Sequence, residues 1–266
     1  MNPSTSRRRH PAAAAVLLLL GLFATGLVYA GVSAAANDVA SANASAPSAT
    51  QIEAGKKLFL EGCSSCHGLN AQGGSDGPSL IGVGAAAVHF QVATGRMPMA
   101  ATSAQAPRKK VQYSEEEIQA MAAYVATLGA GPAIPSEADV NGWQNADIAA
   151  GGIIYRLNCS QCHQAAGGGG ALSEGRYAPS LMASTPQEIY EAMLTGPQAM
   201  PVFNDAQIPV ENKQEVIAYL MELRESPNPG GLSLGRLGPV TEGLFLFTVG
   251  IGALIAVAVW IGVKAR

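Results

Sequence analysis

The chain has 266 residues, with 16 lysines and arginines against 19 aspartates and glutamates, a formal net charge of −3. This near-neutral balance has no electrostatic footprint for a nucleic-acid partner, and the length allows one or two domains. Part of the 48% hydrophobic content sits in two apolar runs at the chain ends, so the middle is less hydrophobic and rich in loops.

In chain order, Arg7, Arg8 and Arg9 precede the apolar run 11–36. Basic residues before an apolar stretch also describe a secretory signal peptide, but a signal core spans only ~7–15 residues. The longer run favours a retained membrane helix, so residues 1–36 read as a basic cytoplasmic tail and an N-terminal span. Residues 37–49 are mostly Ala, Ser and Asn with one Pro, a flexible tether. A first compact segment covers 50–128. Thr50 with Glu53 predicts a capping box at its start. Ser114 with Glu117 predicts another, opening a helix with Ile118, Met121, Ala122, Val125 and Leu128 on one face and ending at Gly129. A Pro/Gly linker occupies 129–144. A second segment, 145–225, ends in a helix expected over Val210–Leu223. Residues 226–243 form a Gly/Pro connector without helical period. The run 244–263 carries no charge and meets the ~20 residues that a span needs. Lys264 and Arg266 follow it, so the positive-inside rule puts both termini in the cytoplasm and the chain between the spans outside it. No segment alternates with period two over strand length, which predicts a mainly α protein with little sheet.

The two compact segments repeat one another. "AGKKLFLEGCSSCH" matches "AGGIIYRLNCSQCH", pairing Gly55 with Gly151 and Phe59 with Tyr155. "PSL" recurs at Pro78 and Pro179, a Met-Pro at Met97 and Met200, and a helix carrying Tyr124 and Tyr219 closes each unit.

All four cysteines lie in two Cys-x-x-Cys-His motifs: Cys63, Cys66 and His67, then Cys159, Cys162 and His163. This is the attachment signal of c-type haem. Thiols three residues apart sit about one helical turn apart, so they can reach two vinyl groups of a porphyrin. The next residue is then aimed at the iron. The sequence thus predicts two covalently bound haem c groups. Met97 and Met200 are the candidate second axial ligands, since a thioether raises the potential and suits electron transfer. Met99 competes with Met97, and the Gly-x-Met-Pro setting favours Met97. Pro78 and Pro179 are expected to offer a backbone carbonyl to the ring N–H of the haem histidine. A zinc site would want its Cys pairs ~15–20 residues apart rather than 96, and a thioredoxin-type pair would want a βαβ context. Structural disulfides would leave the adjacent histidines unexplained. His89, on an expected helix, reads as an ordinary surface or core histidine. Met121, Met193 and Met221 read as core residues.

Each repeat resembles a small helical, class I cytochrome c domain in its order of helix, CxxCH, PSL, Met-Pro loop and final helix. In that family Gly55 and Gly151 would let the first and last helices cross closely, against Tyr124 and Tyr219. The whole chain resembles the dihaem cytochrome c subunit of the actinobacterial cytochrome bc1 complex, the menaquinol:cytochrome c reductase. The resemblance rests on the two repeats between two anchors and on "ATGRMPM", "QAPRKK" and "TGPQAMPVF". It implies a subunit of a translocating quinol:cytochrome c oxidoreductase with no catalytic residue of its own. It implies a Rieske iron–sulfur subunit and a cytochrome b subunit as partners, and an aa3-type oxidase whose copper site receives the electron. Tethering two haems on one chain would replace a diffusive encounter by a high effective concentration. Repeat two is the more acidic, and Glu174, Glu188, Glu191, Asp205, Glu211 and Glu215 are expected to offer a docking face. The alternatives are a dihaem cytochrome c peroxidase, which needs one open iron position, and a dihaem subunit of a cbb3-type oxidase or membrane dehydrogenase, which usually lacks the C-terminal span.

Overall fold

The computed structural model describes residues 11–41, 46–226, 234 and 239–265. The basic tail before residue 11, part of the tether and most of the connector at 226–243 lie outside the described residues.

Helix α1 (Pro11–Ser41) belongs to a unit of its own, residues 1–47. It runs five residues into the segment expected as a tether, because Ala and Asn–Asp–Val–Ala–Ser contain no breaker. Its stretch Ala12–Tyr29 is a candidate membrane span with no buried side chain.

The second unit holds both repeats and the C-terminal helices. Repeat one contains α2 (Ala49–Gly62), α3 (Ser64–His67), α4 (Gly84–Ala93) and α5 (Glu115–Ala126). A short α6 (Glu137–Asn141) and a 3-10 turn lead into repeat two. There α7 (Ile148–Asn158), α8 (Ser160–His163), α9 (Pro186–Thr195) and α10 (Val210–Glu225) follow in the same order. The one ladder among the described residues pairs β1 (Gly170–Ala171) with antiparallel β2 (Tyr177–Ala178), so the expectation of little sheet holds.

Local chemistry sets the helix boundaries. Ser48, not Thr50, caps α2, its hydroxyl accepting from the Gln51 N–H. The capping box at Ser114 and Glu117 forms as expected, although α5 ends at Ala126 rather than at Gly129. Thr185 and Glu188 build another box, with Pro186 as first helical residue.

The first and last helices of each repeat cross at a glycine. A Cβ on Gly55 would lie 1.9 Å from the Ala120 carbonyl oxygen, and one on Gly151 equally 1.9 Å from that of Glu215. No side chain fits there. The tyrosines expected at this crossing sit one turn further along, where the Tyr124 ring packs tilted against Phe59 at 5.4 Å and Tyr219 against Tyr155 at 5.3 Å. Around that crossing, Tyr155, Ile189, Met193, Ile217 and Leu220 form the core of repeat two. Two smaller clusters, centred on Phe59 with Tyr124 and on Ile118 with Met121, do the same for repeat one.

At the C-terminus, α11 (Pro239–Phe245) passes through a π-helical turn (Leu246–Ile251) into α12 (Gly252–Lys264). Thr241–Lys264 is the second candidate span, again with nothing buried. Lys264 folds over Trp260 at 5.0 Å, a basic–aromatic pair of the kind that lies at a membrane boundary.

Candidate functional site

Helix α2 closes with the Cys63 N–H bonded to the Phe59 carbonyl, and one turn of helix then carries Cys66 and His67. Repeat two does the same with Cys159, Cys162 and His163. The cysteines of each pair are unjoined thiols on a single turn. Both histidines are buried. The His67 Nδ1–H donates to the Pro78 carbonyl at 2.7 Å, and the His163 Nδ1–H to that of Pro179 at 2.9 Å. A carbonyl can only accept, so Nδ1 carries the proton and Nε2 keeps its lone pair for a metal. Burial pulls the His163 pKa down, with the Pro179 bond opposing, which keeps the ring neutral as ligation requires.

The first thiol of each pair is not poised as a redox nucleophile. Burial, and then the charge of Cys162, push Cys159 up to about 11, and burial with Cys66 raises Cys63. Reactive pairs have their thiol pKa lowered instead. Among the described residues no three His, Cys, Asp or Glu side chains converge as a metal set, which leaves the zinc reading without support.

In repeat two, Cys159, Cys162, His163, Pro179 and Met200 line one cavity whose wall is largely apolar, with Leu220 among the core residues behind it. In repeat one, Cys63 and Met97 both pack on the cluster of Val92, Ile118 and Met121. Met99 belongs to none of the clusters. In repeat two the donor set of two thiols, an oriented imidazole and a thioether beside an apolar cavity fits a covalently attached haem, and repeat one has the same donor types. His67 with Met97, and His163 with Met200, are the residues that would hold its iron.

A cytochrome c family model matches residues 52–129, and the model for cytochrome c oxidase, cbb3-type, subunit III matches 146–220. The cytochrome bc1 complex cytochrome c subunit of Corynebacterium diphtheriae is 46% identical over 97% of this chain and 95% of its own length. That of Mycobacterium tuberculosis H37Rv is 45% identical over 97% of this chain and 93% of its own. The chain belongs to the cytochrome bc1 complex cytochrome c subunits. The FixP subunit of the cbb3-type oxidase of Sinorhizobium medicae is also similar, at 32% identity, but over only 30% of the chain. The cytochrome c subunits match through both anchors and both repeats, which places the chain with them rather than with the cbb3-type subunits.

This cytochrome c subunit carries one more set of interactions, between its repeats. The Gln105 side chain donates to the Tyr177 carbonyl at 2.7 Å and accepts from the Tyr177 N–H at 2.8 Å. Gln198 answers in the other direction, bonding the N–H and the carbonyl of Ala106, each at 3.1 Å. Arg108 grips Glu188 with both terminal nitrogens, at 2.6 and 2.9 Å. His89 lies buried between repeats. Its Nδ1–H donates to Glu191 (2.7 Å to Oε1) and its Nε2–H to Glu115 at 3.1 Å. Burial lowers its pKa, but bonding to Glu191 and then Glu115 outweighs that and leaves it raised. The expected acidic docking face is thereby reduced. Glu191 is 0% exposed and Glu188 is taken by Arg108, while Asp205 holds the buried Lys213 at 2.6 Å. Of the expected set, Glu174, Asp205 and Glu211 remain exposed, with Glu174 paired to Arg176 and Asp205 to Lys213. The pairs that join the two repeats are 72 to 102 residues apart, which leaves no local signal for them.

Proposed function

We propose that this subunit carries electrons through two covalent haem c groups within a bc1-type menaquinol:cytochrome c reductase. The duplicated constellation on one chain carries this reading: two Cys-x-x-Cys-His turns, each with its histidine held by a proline carbonyl and each with a methionine loop beside it. When bound, each haem supplies a one-electron iron centre. Cys63, Cys66, Cys159 and Cys162 anchor it by thioethers, while His67 and His163 are oriented by Pro78 and Pro179. Met97 and Met200 would supply the second iron ligands, and the packing of Met97 on the same cluster as Cys63 supports it over Met99.

In this reading repeat one receives the electron from the Rieske subunit, next to cytochrome b. Repeat two hands it to the copper site of an aa3-type oxidase. The two apolar helices hold the repeats on the extracytoplasmic side of the membrane, with both termini in the cytoplasm. The relatives' names support membership of the complex. The direct test is purification in mild detergent with identification of the co-purifying subunits. Haem stain on denaturing gels should show two haems per chain, each Cys-pair-to-Ala variant retaining one. Disabling repeat two should leave quinol able to reduce repeat one while oxygen consumption stops. Quinol reducing repeat two in the absence of haem one would reverse the order.

A further inference from the structure

The repeat-two cavity has one wall that repeat two does not supply. Phe90, Arg96, Gln105 and Arg108 of repeat one line it together with Cys159 and His163 of repeat two. Arg96 is only 9% exposed, and its Nη1 has no hydrogen-bond partner among the described residues. Its guanidinium lies over the Phe90 ring at 4.9 Å, which holds the side chain in place without neutralising it. The other cation of this wall is already matched, since Arg108 makes two bonds to Glu188. One uncompensated positive charge therefore remains in a buried wall. A buried charge without an anion is costly, and a planar guanidinium fork suits a carboxylate. Such a feature persists where a ligand brings the anion.

We infer that Arg96 is the counter-cation for a carboxylate on the edge of the haem held by repeat two, so that a residue of repeat one completes and tunes the other repeat's site. The inference rests on the haem reading of repeat two. Arg96 is a positioning and tuning residue, not a ligand to iron. It directly precedes Met97, so the turn that presents the candidate ligand of repeat one also forms part of repeat two's wall. The interface bonds of Gln105, Gln198 and Arg108 hold that wall in register. A fixed cation favours the reduced iron, which carries one positive charge less than the oxidised iron. Removing it should lower the potential of the repeat-two centre.

The test is a redox titration of the haem-loaded full chain in detergent, with the variant lacking Cys63 and Cys66 used to assign the two centres. Arg96→Gln should shift the repeat-two reduction equilibrium about tenfold toward the oxidised form, about 59 mV for a one-electron couple. The repeat-one centre and its methionine–iron charge-transfer band should not move. Arg96→Lys keeps the charge but loses the fork, and should shift repeat two by about threefold. If Arg96→Gln does not accumulate, Arg96→Lys decides alone. An unchanged repeat-two potential in the variants that fold, or a shift confined to repeat one, overturns the inference. A wild-type count of one haem, missing from repeat two, would instead overturn the reading on which it rests.

Discussion

The two repeats share a frame but differ in where they are longer. The offset between matched residues is 96 at His67 and His163, rises to 101 at Pro78 and Pro179, and reaches 103 at Met97 and Met200. It falls back to 95 at Tyr124 and Tyr219. Repeat two therefore has extra residues before its proline and before its methionine, and repeat one has a longer loop after Met97. The first of these extra stretches bears the β1–β2 ladder with Tyr177, and the second contains Gln198. The loop after Met97 carries Gln105, Ala106 and Arg108. These are the residues that bond across the interface. Where the repeats are alike they build the same site twice; where they diverge they build much of the joint between the two sites, to which the matched helices α4 and α9 add His89 and Glu191.

The largest expected effects test the shared frame. Gly55→Ala would put a Cβ onto the Ala120 carbonyl, and Gly151→Ala one onto that of Glu215. Neither backbone can yield without separating the crossed helices. Each change should cost about 4 kcal/mol, at the upper end for overpacked positions. Haem stain of the purified variants should show loss from the mutated repeat only. Loss of both haems from either variant would mean that the repeats do not fold as separate cores.

The next effect tests the joint. His89→Ala leaves Glu191 buried, with only the Gln187 side-chain amide, among the described residues, still donating to it at 2.8 Å. Removing one partner of a buried charged pair costs about 3 kcal/mol. Glu115, whose side chain is 63% exposed, should matter far less, and Glu115→Ala should cost about 0.5 kcal/mol. Denaturant unfolding of the two variants compares these directly, and equal losses would show that His89 is not held mainly by Glu191.

The same histidine makes the joint sensitive to pH. Both ring nitrogens face carboxylate oxygens, Glu191 on α9 and Glu115 on α5, so both bonds form only with the doubly protonated ring. Its native pKa is raised above the unfolded value. The stabilisation is therefore fully present below about 6.5, the ordinary histidine value, and is lost as pH rises through the raised native pKa. Unfolding midpoints measured across this range should fall more steeply for the wild type than for His89→Gln. Parallel pH profiles would remove His89 as the cause.

Much of this was legible before the fold. Cys-x-x-Cys-His is a local motif, so its geometry follows from one turn of helix, and the duplication made each half evidence for the other. Two features were not legible, for different reasons. His89 and Glu191 are 102 residues apart, and no periodicity encodes a pair that forms only when two finished domains dock. Reading Glu188 and Glu191 as surface charge followed from composition, which cannot tell a solvated carboxylate from one facing a cation of the other repeat. The start of α2 was missed on a finer scale. Ser48 and Thr50 both offer a hydroxyl near the first turn, and the choice depends on which N–H groups the helix leaves free.

That choice supplies the smallest test, and it again compares the repeats. α2 begins at Ala49 after Ser48, whereas α7 begins at Ile148 after Asp147, whose carboxylate accepts from the N–H groups of Ala149 and Ala150. The two helices end in register, at Gly62 and Asn158, so repeat two has lost three residues of its first turn but gained a charged cap. A carboxylate at a helix N-terminus also meets the positive end of the helix dipole, which a serine hydroxyl does not exploit. Ser48→Ala should cost about 1 kcal/mol and Asp147→Ala somewhat more, since it removes both the cap and the charge. Thr50→Ala, now inside the first turn, should be close to neutral, as alanine is the better helix former. Hydrogen exchange at the amides of Gln51, Ala149 and Ala150 reads this locally. Faster exchange at Gln51 in Thr50→Ala than in Ser48→Ala would return the cap to Thr50.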